Sequence, residues 1–373
     1  MKLSVSTIAL QQAVGVVSRA VSHSANIPIV TGMLMTADGN GLMLTGYDLE
    51  MAIETRIPAT VEEPGAIVVP GKQFEAITKK LPHPEVVITA QNTSAIIKAN
   101  KSRFTLQTMA VEDYPALPEA SGKSLTIPGD KFCAMVRRVA FATATDVTRP
   151  VMAGVLTTLA DGKMAMAATD SFRMAVRRAS MDTEESVSTI LPARFLSEIE
   201  RISGAFVRLI LGNQHVQATV GETRFIARLY EGAYPEWERV MPDQAKVQAW
   251  ITVERDTLLS AIERVSLMCE DQLAPMRFTL DEDTHDHLLV EATNPEIGNA
   301  KEELNIVGDF QGNDPTMQVS LRPSYLRDAL RVMTGDVRIG YTGIGHPVLV
   351  LDQGDPDYSY VIMPMTTNSS PRQ

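Results

Sequence analysis

LQQAVGVV at residues 10–17 sets Leu10, Val14 and Val17 at i, i+4 and i+7, one apolar face of a helix, and it decides the fold because it recurs. FCAMVRRV at 132–139 repeats the stripe with Phe132, Val136 and Val139, and LLSAIERV at 258–265 repeats it with Leu258, Ile262 and Val265. The offsets are 122 and 126 residues, a period of one small domain. Working outward, Pro28, Gly32 and Asp38-Gly39 follow the first stripe, and Pro150, Gly154 and Asp161-Gly162 follow the second. The third part keeps Pro275 but has the acidic run DEDTHDH in place of the turn. Next come Thr45-Gly-Tyr-Asp48, Ala168-Thr169-Asp170 and Ala292-Thr293-Asn294, then second helices at VVPGKQFEAITKKLP, ILPARFLSEIERISG and SLRPSYLRDALRVMTG. Two copies close on an aromatic-Pro pair, Tyr114-Pro115 and Tyr234-Pro235.

Alternating runs such as SAIIKA, RFTLQTM, HVQATV, TRFIARLY, VRIGY and PVLVLD predict strands with one buried face. The fold class is therefore α+β, three tandem domains expected at 1–120, 125–245 and 249–373, with linkers near SGKS (121–124) and DQAKVQ (243–248). A chain of 373 residues with 45% apolar content can bury the cores this requires. The opening MKLSVSTIALQQAVGVV has no secretory pattern and no apolar run reaches the roughly 18 residues of a membrane span, which predicts a cytoplasmic protein with no membrane partner. Cys133 and Cys269, far apart, suggest neither a disulfide framework nor a thiolate metal site.

The net charge of −11 argues against nucleic acid until the charge is located. The six predicted helices carry +6, so the rest of the chain carries −17. Lys72, Lys79, Lys80, Arg137, Arg138, Arg194, Arg201, Arg327 and Arg331 supply a basic side that suits phosphates, with Arg149 added from the loop before Pro150. An acidic remainder fits a protein that surrounds DNA, since enclosure needs no tight grip. No zinc-finger, helix-turn-helix or RNP-type pattern is present, and no base-reading role is predicted.

No GxxxxGK[ST], GxGxxG, GxSxG or HExxH motif occurs. Asp281, Glu282, Asp283 and Asp286, beside His285 and His287, are the one candidate for a divalent metal, and Asp48 with Asp170 the one candidate acid-base pair. The repetition of Asp48 and Asp170 at equivalent places favours a structural turn. The expectation is no catalytic residue, no metal and no cofactor. A metal-dependent DNA-processing enzyme and a protein-only repeat scaffold remain the alternatives.

At IPIVTGML (27–34), LTGYDLEM (44–51), SRFTL (102–106), DYPALPE (113–119), ATDSFRMA (168–175), AYPEWERVMP (233–242) and YVIMPM (360–365) the chain resembles the beta subunit of DNA polymerase III, the bacterial sliding clamp. The resemblance spans essentially the whole length. It implies a non-catalytic processivity factor for DNA replication: a head-to-tail homodimer forming a ring, helices on its inner face and antiparallel sheets outside, encircling duplex DNA without regard to sequence. It also implies a clamp loader, the replicative polymerase alpha subunit and other clamp-binding-motif proteins as partners. By motif, their peptide cleft between the second and third domains takes Met152, Thr169, Ser171, Phe172, Arg173, Met174, Pro235, Arg239, Val240, Leu273, Arg322, Tyr325, Val361, Ile362, Met363, Pro364 and Met365. The resemblance further places Ile77, Leu81 and Phe104 of one subunit against Leu267 and Met268 of the other, with Lys98, Lys101 and Arg103 facing Glu296, Glu302 and Glu303. Two departures stand out. Ser171-Phe172 occupies the place where the family commonly has Gly-His, and TTNSSPRQ follows Met365 as a polar tail expected to be disordered.

Overall fold

The computed structural model describes residues 1–22, 27–82, 84–91, 93–146, 148–202, 204–269, 274–280, 285–310 and 317–365. In the first repeat β1 (Lys2–Ser6) runs into α1 (Thr7–Val17), followed by β2 (Gly32–Asp38), β3 (Gly41–Tyr47), β4 (Met51–Ile57) and β5 (Ala59–Glu63). Its second half is β6 (Gly65–Pro70), α2 (Gly71–Thr78), β7 (Glu85–Gln91), β8 (Ser94–Ala99) and β9 (Ser102–Gln107). The second repeat is β10 (Lys123–Pro128), α3 (Gly129–Val139), β11 (Gly154–Ala160), β12 (Lys163–Thr169) and β13 (Arg173–Ser180), then β14 (Val187–Pro192), α4 (Ala193–Ile202), β15 (Phe206–Leu211), β16 (His215–Val220) and β17 (Thr223–Arg228). After the short α5 (Trp237–Val240) comes the third: β18 (Ala249–Val253), α6 (Arg255–Val265), β19 (Met276–Leu280), β20 (His287–Asn294), β21 (Gly298–Asn305) and β22 (Val307–Phe310). It ends with β23 (Gln318–Leu321), α7 (Pro323–Leu330), β24 (Val337–Tyr341), β25 (Val348–Asp352) and β26 (Asp355–Ile362). Each repeat is thus two strand-helix-strands halves in tandem.

The nine stripe residues quoted from α1, α3 and α6 are all buried, as i, i+4, i+7 spacing requires of a helix lying on a sheet. Local chemistry fixes the helix ends: Glu254 caps α6 by accepting from the backbone N–H of Asp256 (3.2 Å) and Thr257 (2.7 Å), and Pro323 opens α7. The Asp161-Gly162 pair turns β11 into β12 with both residues at positive φ, 52° and 67°, the geometry of a tight two-residue hairpin. Tyr114 donates to the carbonyl of Thr45 (3.3 Å), and Tyr234 to those of Gly154 (3.3 Å) and Ala167 (3.2 Å). The aromatic of each aromatic-Pro pair therefore locks its repeat, and burial raises both phenols above their ordinary pKa.

The chain divides into two compact units, Met1–Phe132 with Glu198–Leu229, and Cys133–Ser197 with Tyr230–Gln373. The first holds the antiparallel sheets β5-β1-β7-β8-β9 and β10-β15-β16-β17-β4-β3-β2-β6. The second holds β14-β11-β12-β13-β26-β25-β24-β18-β22 and β21-β20-β19-β23. The division runs through the second repeat because β10 and β15 to β17 continue the first repeat's sheet, whereas β11 to β14 continue the third's. Each such seam joins the last strand of one repeat to the strand that follows the Asx turn of the repeat before it. At β17 and β4 the pairs include Phe225↔Ile53 and Ala227↔Met51; at β26 and β13 they include Tyr360↔Ala175 and Ile362↔Arg173. Counted back from the bonds that close each repeat, Tyr230 N–H to the Ile190 carbonyl (3.4 Å) and Met365 N–H to the Ser320 carbonyl (2.8 Å), these are the same pairs, so the two seams share one register.

Candidate functional site

The predicted cleft centres on the turn between β12 and β13. Asp170 Oδ1 accepts from the backbone N–H of Phe172 (2.9 Å) and Arg173 (3.0 Å), an Asx turn. Asp48 does the same for Glu50 (3.1 Å) and Met51 (2.8 Å), and Asn294 for Glu296 (2.8 Å) and Ile297 (3.3 Å). The turn holds Ser171 at φ 79°, left-handed backbone that a side chain occupies at a cost, and Leu49 sits identically in the first repeat. Ser171 is anchored by the guanidinium of Arg149 donating to its Oγ (3.2 Å), and Phe172, 60% exposed, projects from the turn.

Arg173 clips the surroundings together. Its Nε meets Asp170 at 3.0 Å, Nη1 meets Asp328 at 2.7 Å and Nη2 donates to the carbonyl of Phe141 at 2.8 Å. Its guanidinium carbon lies 4.4 Å from the Tyr325 ring centroid, while that of Arg322 lies 4.5 Å from the same ring and Arg322 Nη1 donates to the Tyr325 hydroxyl at 2.7 Å. Burial raises the Tyr325 phenol. Arg173 is therefore a positioning group with its donors already occupied.

The structure brings much of the predicted cleft set together. Met174 and Val361 are buried in one core cluster with Trp237 and Trp250, and Thr169 and Ile362 are buried too. Met152, Pro235 and Met363 to Met365 are half-buried, and Arg239 and Val240 are exposed. Leu273 lies outside the described residues, as do Asp281, Glu282 and Asp283 of the candidate metal cluster and the TTNSSPRQ tail. A cavity of ≈ 510 Å³ is lined by Phe172, Arg173, Arg322 and Tyr325 together with Thr143 to Asp146, Arg149, Asp170, Ser324, Arg327 and Asp328. Sequence reasoning missed Thr143 to Asp146, a loop with no periodic signal, and Ser324 and Asp328, whose polar positions on α7 lie off its apolar stripe.

The predicted DNA-facing residues divide. Lys72, Arg137 and Arg194 are exposed on α2, α3 and α4, and Lys80 is exposed in the turn after α2. Lys79 pairs with Glu75 (2.7 Å), Arg201 with Glu198 (3.9 Å) and Arg331 with Glu263 (2.9 Å), which lowers the positive charge they present. Arg149 and Arg327 line the cavity. Arg138 needs correction: its side chain is 11% exposed, bound to Asp352 (3.1 Å) and Asp355 (2.8 Å) and donating to the carbonyl of Val332 (2.8 Å). A guanidinium so committed is a structural cation of the third repeat's sheet.

For the predicted subunit contact, β9 and β21 lie at sheet edges, and β9 buries neither face, unlike the other alternating strands. Lys98, Lys101, Arg103 and Phe104 are exposed, as are Leu267 (72%), Glu296 and Glu303, while Ile77 and Met268 are half-buried. Leu81, at 4% exposure, belongs to the core and not to a contact surface. Glu302 is held by Arg264 through two bonds of 2.7 and 2.6 Å, which lower its pKa and raise that of Arg264.

Three tandem α+β repeats, each with two helices and joined by antiparallel sheets that run across their boundaries, define a DNA-clamp architecture. Residues 1–118, 126–236 and 238–366 match the N-terminal, central and C-terminal domains of the DNA polymerase III beta subunit. The chain is 30% identical over 383 residues to the beta sliding clamp of Bacillus subtilis, covering 98% of this chain and 100% of that one. It is 31% identical over 365 residues to that of Staphylococcus epidermidis, covering 94% and 95%. The solved B. subtilis clamp superposes with a TM-score of 0.89 at 29% identity over 98% of this chain and 99% of that one. A Pseudomonas aeruginosa sliding clamp solved bound to griselimycin gives 0.88 at 28% identity over 98% and 100%. The chain belongs to the DNA polymerase III beta subunit family, the bacterial beta sliding clamps. Its role is that of a DNA polymerase processivity factor, and this reading is favoured over a metal-dependent enzyme or a protein-only scaffold. Among the described residues no helix is long and apolar enough to cross a membrane.

Proposed function

We propose that two copies of the chain close head to tail into a ring that encircles duplex DNA in the cytoplasm, without catalysis. The observation that carries this is the shared seam register together with two open edges. β9 is the equivalent of β17 and β26, and β21 the equivalent of β4 and β13, yet neither pairs along that edge among the described residues. Transferring the seam from Phe225↔Ile53 and Tyr360↔Ala175 sets Phe104 opposite the partner's Ala300, allowing for one extra residue in the Asn294 turn. The same register brings Lys101 opposite Glu303 of the partner subunit. Arg103 then opposes Lys301, whose charge Glu291 offsets at 3.9 Å. Such a heterologous contact gives a closed ring when the rotation closes.

The groove around Phe172, with its Met-rich rim, is the proposed docking place for the polymerase alpha subunit, the clamp loader and other partner peptides. The exposed cations Lys72, Lys80, Arg137 and Arg194 support sequence-independent contact with phosphates. The test is topological. Labelled chain placed by a clamp loader and ATP on nicked circular DNA stays bound through gel filtration and is released when the circle is cut. Equal retention on circular and linear DNA overturns the ring.

A further inference from the structure

His287 opens β20 between two carboxylates. Its Nδ1 lies 2.5 Å from Asp286 Oδ1 and its Nε2 3.5 Å from Glu303 Oε1. The second contact crosses to β21, where Glu303 pairs with Leu289 and Asn305 with His287, so imidazole and carboxylate are diagonal neighbours on one face of the sheet. A neutral imidazole carries one N–H and cannot donate to both acids, whereas the imidazolium can. Among the described residues no three His, Cys, Asp or Glu side chains converge as metal ligands, so this geometry answers to a proton. The other charged groups near it are engaged elsewhere. On β21 Lys301 pairs with Glu291 at 3.9 Å, and Glu302 is held by Arg264 of α6. Arg277 of β19 stands opposite Glu291, four residues along β20 from His287, and His285 packs on Phe310 with ring centroids 6.0 Å apart.

Glu303 has a second claim on it. It is exposed on the open edge of β21, and the register of the ring proposed above, on which this inference rests, sets it opposite Lys101 of the partner subunit. We propose that His287 is a pH switch on the seam between copies. The imidazolium draws Glu303 away from Lys101 of the partner subunit and loosens the ring, and the neutral imidazole releases Glu303 to close it. The ammonium of Lys101 disfavours a second cation beside Glu303, so the open edge takes up the proton more readily than the closed one. By reciprocity, acidification opens the seam. Carboxylates and ammonium groups stay charged across the imidazole range of about pH 5.5–7.5, which leaves the imidazole as the group that changes. A head-to-tail dimer closes two identical seams, so a factor of about 2–3 at each, the size an exposed ion pair supplies, multiplies to about 5–10 in the dimer constant.

Sedimentation equilibrium of the full chain at about pH 7.5 and about pH 5.5, in buffer containing EDTA, reads the dimer dissociation constant and tests this. At the lower pH the constant is expected to rise about 5- to 10-fold in the parent and in His346→Gln, whose imidazole lies in the exposed loop between β24 and β25. In His287→Gln, which cannot titrate, the rise should be about 2-fold or less. Lys101→Gln, which removes the competitor for Glu303, should weaken the dimer at the higher pH and flatten the response. An equal constant at both pH values in the parent, or an undiminished rise in His287→Gln, overturns the switch and leaves the ring standing. A parent that is monomeric at both pH values overturns the ring and the switch together. Circular dichroism and thermal melting of each variant at both pH values establish that it is folded.

Discussion

The backbone N–H of Met363 donates to the carbonyl of Phe172 at 2.8 Å, tying the C-terminal Met-Pro-Met segment to the Asx turn of the second repeat. Two residues on, Met365 donates in the same way to Ser320 at 2.8 Å, which pins the segment to β23. The rim of the proposed groove is thus assembled from parts of the chain distant in sequence. Deletion of Met363 to Met365 is expected to abolish binding of partner peptides while leaving the subunit assembly intact. Undiminished peptide affinity, read by anisotropy, removes the groove from this place.

Arg138 and Asp352 form a buried pair, with Asp352 fully buried at its side chain and Arg138 nearly so. Replacing Arg138 by Ala strands that carboxylate and is expected to cost about 3–5 kcal/mol in denaturant unfolding. DNA retention by whatever fraction stays folded should be little changed. A large loss of retention with unaltered stability would return Arg138 to the DNA-facing set.

Asp352 also sets a pH dependence. Burial opposes its ionisation, but the backbone N–H groups of Gly335, Thr334 and Gly354 and the charge of Arg138 outweigh burial and hold its pKa below the ordinary value. A carboxyl depressed in the folded state contributes stability that is complete above its unfolded pKa, about 3.9, and is lost as pH falls through the folded value. Melting temperature should therefore fall more steeply below about pH 4 in the parent than in Asp352→Asn, which starts lower. Parallel acid profiles would contradict this account.

Asp48 tests whether the repeated acids are turns or chemistry. Loss of its two backbone acceptor bonds in Asp48→Ala is expected to destabilise the chain by about 1–2 kcal/mol. Asp48→Asn, which keeps the accepting oxygen, should recover most of that in the same thermal melt. Equal damage from both substitutions would mean that the charge itself matters.

The open edges predict a cross-link. In a Cys269→Ser background, Phe104→Cys and Ala300→Cys on the same chain should form an intermolecular disulfide on mild oxidation, since directly opposed strand residues lie about 4.5–5.5 Å apart. Neither single variant should do so. Shifting one cysteine to Thr105 should abolish the product, and a product indifferent to that shift would refute the transferred register.

The repeat, the buried stripes and the turn acids were legible because each rests on local spacing: Leu10, Val14 and Val17 lie within one helix, and Asp48 acts on residues two and three positions ahead. The sharing of sheets between repeats was not, since the pairing of Phe225 with Ile53 is a long-range choice that no period records. Arg138 and Leu81 were misplaced for the same reason. A basic residue beside a helical stripe reads as solvent-facing until the distant Asp352 and Asp355 are known, and Leu81 reads as a contact residue until its burial is seen. The cavity was half visible: Phe172, Arg173, Arg322 and Tyr325 came from motifs, whereas Thr143 to Asp146 have no motif.

The central claim is that the β9 and β21 edges are two halves of one seam between copies. Sedimentation equilibrium of the full chain at micromolar concentration tests it most directly. The account predicts a mass of twice 40.7 kDa, falling toward a single chain when Phe104 is replaced by Asp. A parent protein that sediments as a stable monomer across that range would contradict it.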